Sequence, residues 1–217
     1  MVLCGVHMGE QTAASVNYER GKLLIIDSFP LLLYVHMIKL KKGYFLMTGN
    51  IVDLPSMLAR REERSREQIA FLQAHHFPLI SFSMNIPGPI KTNTYIRRAF
   101  DLGRNFLISQ LERVNAEIME ALEIHQDTGD ELLLSVANVQ PEKLKAIAVE
   151  IEEASEIGRL YDIDVIDAQG RKLSRKRFRK CLICDKQAQD CARSRTHSVS
   201  DMQRAVDNIL ANFLEDK

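Results

Sequence analysis

In a β-strand, residues two apart project to the same face. The segment Tyr161-Asp162-Ile163-Asp164-Val165 therefore sets two carboxylates side by side, with Tyr161, Ile163 and Val165 on the opposite face. Such a pair can share a divalent cation, and Mg²⁺ in particular is held by one or two carboxylates together with substrate phosphates. Between Arg171 and Arg195 there follow ten Lys or Arg against only Asp185 and Asp190, whereas Glu142 to Asp167 is predominantly acidic. Acids able to hold a cation, next to bases able to grip phosphate, describe a site for phosphoryl-type chemistry.

The same stretch contains Cys181-x2-Cys184-x6-Cys191-x5-His197, a spacing that can close tetrahedrally around Zn²⁺. Four protein ligands would leave no open position, so such a site would brace the basic loop rather than catalyse. It would hold Arg193 and Arg195, which makes these two the favoured phosphate contacts among Arg171, Lys172, Arg175, Lys176, Arg177, Arg179 and Lys180. The plainer alternatives are reduced cysteines with a surface histidine, and a charge run that simply faces water. Upstream, Lys91 follows the rigid Pro87-Gly88-Pro89 loop as a pre-positioned cation, and Arg97 and Arg98 fall in the early turns of a helix.

These groups need a scaffold. Asp53 can cap a helix that accepts Pro55 in its first turn and runs to about Leu72, its alternating acids and bases reading as solvated. Leu79 to Met84 reads as a short strand, and a helix follows from Thr92 to about Asn115 with Ile96, Ala99, Phe100, Phe106, Leu107 and Leu111 on one side. Glu117–His125 and Glu131–Ala137 flank Asp127-Thr128-Gly129-Asp130 as a hairpin, and Pro141 opens a helix to about Ser155. Leu160–Ile166 is a strand, and an amphipathic helix carrying Val206, Ile209, Leu210 and Phe213 closes the chain. Hairpins and helices without βαβ regularity indicate an α+β fold: a mixed or antiparallel sheet with flanking helices and a small Cys/His knuckle near the C-terminus.

The 217 residues suffice for one good core, and a net charge of zero gives no global cause to bind nucleic acid. Clustered thiols without a secretory signal point to the cytoplasm. Leu23 to Ile38 is apolar but broken by Asp27 and Pro30, too short for a membrane span. Lys41-Lys42-Gly43 must be encoded by a purine-rich stretch resembling a bacterial ribosome-binding site, with Met47 suitably placed as a start. The expectation is translation from Met47, with residues 1–46 as upstream sequence and residues 47–217 as a single domain. GxxxxGKS, GxxxxGKT, HExxH and GxSxG are all absent, which leaves P-loop, zincin and α/β-hydrolase chemistry unsupported.

Three motifs in order, GPIK at Gly88–Lys91 with Arg97-Arg98 following, GRLYDIDV at Gly158–Val165 and RKCLICDKQAQDCARSRTH at Arg179–His197, resemble the holo-acyl-carrier-protein synthases of citrate lyase. This is the apo-citrate lyase phosphoribosyl-dephospho-CoA transferase family, and the resemblance spans roughly Ile51 to Leu214. It implies transfer of the phosphoribosyl-dephospho-CoA group from triphosphoribosyl-dephospho-CoA to a serine of the apo acyl-carrier subunit, with release of pyrophosphate. On that reading Asp162 and Asp164 hold Mg²⁺, and Lys91, Arg97, Arg98, Arg159, Arg193 and Arg195 bind phosphates. One of the two carboxylates, or Glu152, helps to deprotonate the serine. The paired acids are reminiscent of nucleotidyltransferases, although the Gly-Ser that usually precedes them is missing. Competing readings are the same transfer to the malonate decarboxylase carrier and a non-catalytic zinc-knuckle binding module; the latter lacks stacking aromatics, since Phe178 is alone in the basic stretch.

Overall fold

The computed structural model describes residues 18–19, 22–23 and 48–215. The chain divides into two units, residues 1–41 and 42–217. In the first, β1 (Tyr18–Glu19) pairs antiparallel with β2 (Lys22–Leu23). Beyond Leu23, the apolar stretch to Ile38 and the Met47 start lie outside the described residues. Among the described residues no helix is long and apolar enough to cross a membrane.

The second unit begins with α1 (Leu54–His75), capped by the Asp53 carboxylate, which accepts from Ser56 N at 2.8 Å, and ended by His76 in the left-handed region at φ 56°. β3 (Leu79–Met84) leads through the Pro-Gly-Pro loop to α2 (Thr94–Arg113), whose cap Asn93 accepts from Tyr95 N and Ile96 N. β4 (Glu117–Gln126) and β5 (Gly129–Ala137) form the hairpin, and α3 (Pro141–Glu153), a single 3₁₀ turn (Ile157–Leu160) and β6 (Tyr161–Ile166) follow. Two helices complete the unit, the short α4 (Ala188–Arg193) and α5 (Val199–Glu215). The four strands form one antiparallel sheet in the order β4-β5-β3-β6, so the α+β expectation holds and β6 is an edge.

Strand alternation gives the sheet two unlike faces. On one, Ile80, Phe82, Leu132, Leu134, Val136, Ile163 and Val165 pack with Ile96, Phe100 and Leu107 of α2, Leu144, Ala148 and Ile151 of α3, and Val206 and Leu210 of α5. Phe82 and Phe100 stack at 4.8 Å, and the buried Tyr161 hydroxyl donates to Ala99 O at 3.1 Å. On the other face, registered pairs put Ser83 between Glu131 and Asp162, and Ser81 between Leu133 and Asp164. α1 crosses this face. Only its last turns are apolar there, with Phe71 packed on Leu79, Leu133 and Ile166.

The expectation that the charges of α1 are all solvated fails at Arg60. Its side chain is buried, with Nη2 2.8 Å from Glu131 Oε2 and 2.6 Å from Glu67 Oε2, and Nη1 2.8 Å from Glu63 Oε2. A polar sheet face cannot be covered by a purely apolar helix without orphaning Glu131, so the covering helix supplies a guanidinium.

Candidate active site

Asp162 and Asp164 stand on the polar face of β6, their side chains 51% and 24% exposed. About half of the Asp162 side chain faces protein and half faces water. This surrounding protein, reinforced by the charge of Asp164, pushes the Asp162 carboxyl above its ordinary pKa, while Arg179, Lys172 and Lys145 pull the other way. Lys172 Nζ lies 2.5 Å from Asp164 Oδ2, brought there because the turn at Asp167–Gly170 folds the chain back along β6, with Ile166 bridged to Lys172. Arg179 Nη1 is 3.9 Å from Asp162 Oδ1. Glu131 lies in the same polar layer but is occupied by Arg60 and by Arg64, whose Nη1 is 3.1 Å from Glu131 Oε1. The aspartate pair, by contrast, faces both solvent and cations.

The strand bearing the pair is locked by α3. As an edge strand β6 has outward peptide groups that the sheet does not satisfy, and those of Ile163, between the two aspartates, are met by side chains: Glu152 Oε1 accepts from Ile163 N at 2.8 Å, and Lys145 Nζ donates to Ile163 O at 3.0 Å. Glu152 is buried, so the role of base is not the one its position fits; its carboxylate clamps the strand. Burial raises its pKa, opposed by the Ile163 N–H and by Arg179, Arg175 and Lys145. Burial likewise lowers that of Lys145, with Glu152 and Asp164 opposing.

Gly158 explains the opening of the GRLYDIDV motif. A Cβ there would lie 2.5 Å from Ile151 O and 3.1 Å from Glu152 O, backbone atoms at the end of α3. Gly158→Ala is expected to cost about 1–3 kcal/mol in urea denaturation and to lower catalytic activity, because the 3₁₀ turn that delivers Arg159 and β6 must shift.

The other cations named from the sequence are placed as follows. Lys91 Nζ donates to Ile86 O at 2.8 Å, and its Cβ is 4.0 Å from a Cβ built at Gly129, the first residue of β5. It thus sits at the end of the sheet that carries Glu131 and Asp162. Burial, and then the charge of Arg61, lower its pKa. Arg97 Nη2 is 2.9 Å from Oδ1 of the fully buried Asp130, which also accepts from Thr92 Oγ1 at 2.5 Å and meets His125 Nδ1 at 2.7 Å. These contacts anchor the Lys91 loop to the hairpin. Arg98 is half-buried on α2. Arg159 turns toward the Cys/His knuckle, its Nη2 2.5 Å from Cys181 O. Arg193 ends α4 and Arg195 occupies the bend before His197 at φ 47°, both exposed. Arg179, rather than these two, lies against Asp162.

Cys181, Cys184, Cys191 and His197 converge, their ligand atoms all within 4.8 Å of one another. An apolar hollow of about 330 Å³ lined by Leu102, Phe106, Ile151 and Tyr161 opens on the other face of the sheet, away from the carboxylates.

Residues 52–213 match the family model described as apo-citrate lyase phosphoribosyl-dephospho-CoA transferase. The chain belongs to this family. Proteins of that name from Citrobacter koseri and Escherichia coli O6:K15:H31 are each 35% identical to it, over 75% and 76% of the chain and 91% and 92% of their own lengths. The one from Shigella boydii serotype 18 is 34% identical over 76% of the chain and 92% of its own length. The match takes in the aspartate pair, its α3 clamp, the polar helix α1 and the Cys/His cluster. Sequence reading missed Arg60, Arg64, Glu131 and Lys145, which act through long-range pairs; the signal available for Arg60 was its place in a helix that must cover a sheet.

Proposed function

We propose that this family member transfers the phosphoribosyl-dephospho-CoA group from triphosphoribosyl-dephospho-CoA to a serine of the apo acyl-carrier subunit of citrate lyase. The serine oxygen forms a bond to the α-phosphorus, the bond from that phosphorus to the pyrophosphate oxygen breaks, and the serine proton passes to the solvent-facing carboxylates. The observation that carries this reading is the open aspartate pair on β6, flanked by Lys172 and Arg179, in a chain of this family.

The donor set, two carboxylates of hard oxygen character, fits Mg²⁺, which Asp162 and Asp164 would hold. When bound it supplies charge neutralisation at the triphosphate and at the departing pyrophosphate. Lys172 and Arg179 offset the like charges of the pair and can bind phosphate oxygens as the substrate arrives. Lys91, fixed at the same end of the sheet, is suited to the outer phosphates.

Incubation of the full chain with triphosphoribosyl-dephospho-CoA, Mg²⁺ and either apo-carrier, read by intact mass, tests the proposal. The expected result is a single added phosphoribosyl-dephospho-CoA mass on the citrate lyase carrier and release of pyrophosphate. Labelling confined to the malonate decarboxylase carrier, or to neither, would overturn it.

A further inference from the structure

We propose that Cys181, Cys184, Cys191 and His197 bind a structural zinc ion, and that this ion holds Arg179 in place beside Asp162. Zn–S bonds of about 2.3 Å and Zn–N bonds of about 2.0–2.1 Å require tetrahedral donors to stand roughly 3.3–3.8 Å apart. Cys184 Sγ is 3.6 Å from Cys191 Sγ and 3.3 Å from His197 Nε2. Those separations suit a shared metal ion, whereas a disulfide needs sulfurs about 2.05 Å apart. Three soft thiolates and an imidazole select zinc over the hard cations that suit the aspartates. All four positions come from the protein, so the site is closed and its role structural.

The backbone around the cluster is shaped for this task. Ile183 N lies 3.5 Å from Cys181 Sγ, the amide-to-sulfur contact that orients a thiolate in a tight Cys-x-x-Cys turn. Cys181 N donates to Lys186 O and Ala188 N to Arg179 O, both at 2.8 Å, closing a small loop over residues 179–188. Thr196 N donates to Cys191 O at 3.0 Å and so returns His197 to the cysteines. Residues 174–187 contain no helix or strand, and little apolar surface is buried along them: Cys181 is buried and Leu182 packs at the margin of the core. A loop with so little core of its own depends on a cross-link for a single conformation.

Two arginines carry that conformation to the aspartates. Arg159, just before β6, donates to Cys181 O, and Arg179, two residues before Cys181, reaches back to Arg159 O and, at 2.7 Å, to Tyr161 O. This crossed clasp straps the knuckle to the start of β6. The second guanidinium nitrogen of Arg179 is thereby held between two carboxylates, 3.9 Å from Asp162 Oδ1 and 3.9 Å from Glu152 Oε1. Arg179 is a positioning residue for the aspartate pair, and the zinc ion positions Arg179.

Metal content, cobalt spectra and amide exchange test this without reference to carrier transfer, so failure of the proposed reaction and failure of this site are distinguishable. The full chain purified without added metal is expected to carry about one zinc per chain. Replacement by Co²⁺ should give the thiolate-to-cobalt charge transfer and visible bands of a tetrahedral site. Cys184→Ser and His197→Gln, at the two half-buried ligands, should each lose the metal and keep the cooperative unfolding of the sheet. In both, amides of residues 159–163 should exchange several-fold faster, while those of β5 stay as in the parent. Absence of zinc together with no cobalt signature overturns the site. Metal loss with unchanged exchange at 159–163 overturns the clasp. Should one variant fail to fold, the other, together with chelator-stripped parent protein, gives the same comparison.

Discussion

Replacing Asp162 and Asp164 together by Asn is expected to lower carrier labelling by at least about a hundredfold, with the fold intact. The stability change should be neutral or favourable, for a reason visible in the site. The folded-state pKa of Asp162 is raised, by surrounding protein and then by the charge of Asp164, so its ionised form carries a cost in the native state. That cost is fully present above the folded pKa and is relieved as pH falls through it toward the unfolded value. The parent protein should therefore lose more stability than the double Asn variant as pH rises through the upper carboxylate range, the raised carboxyl of Glu152 contributing equally to both. Mg²⁺ should raise the melting temperature of the parent and leave that of the variant unmoved. Undiminished labelling by the variant, or an equal Mg²⁺ shift in both proteins, would remove the aspartates from the metal role.

Glu152 gives the second large effect, and its two substitutions separate structure from chemistry. Glu152→Ala removes the acceptor for Ile163 N and leaves Arg175, whose Nη2 is 3.3 Å from Glu152 Oε2, short of one partner. The expected loss is about 3 kcal/mol in urea denaturation, with transfer falling as the edge strand loosens between the aspartates. Glu152→Gln keeps an oxygen that can accept from Ile163 N. It should retain kcat within a few-fold and an unaltered pH profile. A Gln variant that folds normally and has lost kcat would show that Glu152 is the base after all and that the clamp is incidental.

Most helices and strands of the second unit are legible in the sequence, because their ends are marked by local chemistry. Asp53 and Asn93 are short polar residues ahead of periodic helices; the first reads directly as a cap, and the helix that Asn93 opens starts two residues later than its periodicity suggests. The hairpin turn shrinks to Asp127-Thr128, because Gly129 takes φ 128° and starts β5 sooner than the polar run implies. Helix ends and turns depend on neighbours a few residues away, so local chemistry suffices. Arg60 shows where that reasoning stops. Within its own helix it looks like one more solvated charge, and only the docking of α1 over Glu131, 71 residues along, makes it buried.

The same division runs through the site. That Asp162 and Asp164 share a face follows from the two-residue period of a strand, and that Cys181, Cys184, Cys191 and His197 can meet follows from their spacing. Neither depends on the rest of the chain. Which cation faces which carboxylate does depend on it. Arg193 and Arg195 are the favoured partners by proximity to the knuckle, yet Arg179 and Lys172 lie against the pair, because the loop folds back along an edge strand and a guanidinium reaches several ångströms from its own Cα. The clamp on Ile163 is equally out of reach of the sequence: it requires knowing that β6 is an edge and that α3 lies beside it. Periodicity is a property of the backbone and is written locally; strand order and helix docking come from burying one apolar face for the whole domain, and only then do distant charges acquire partners.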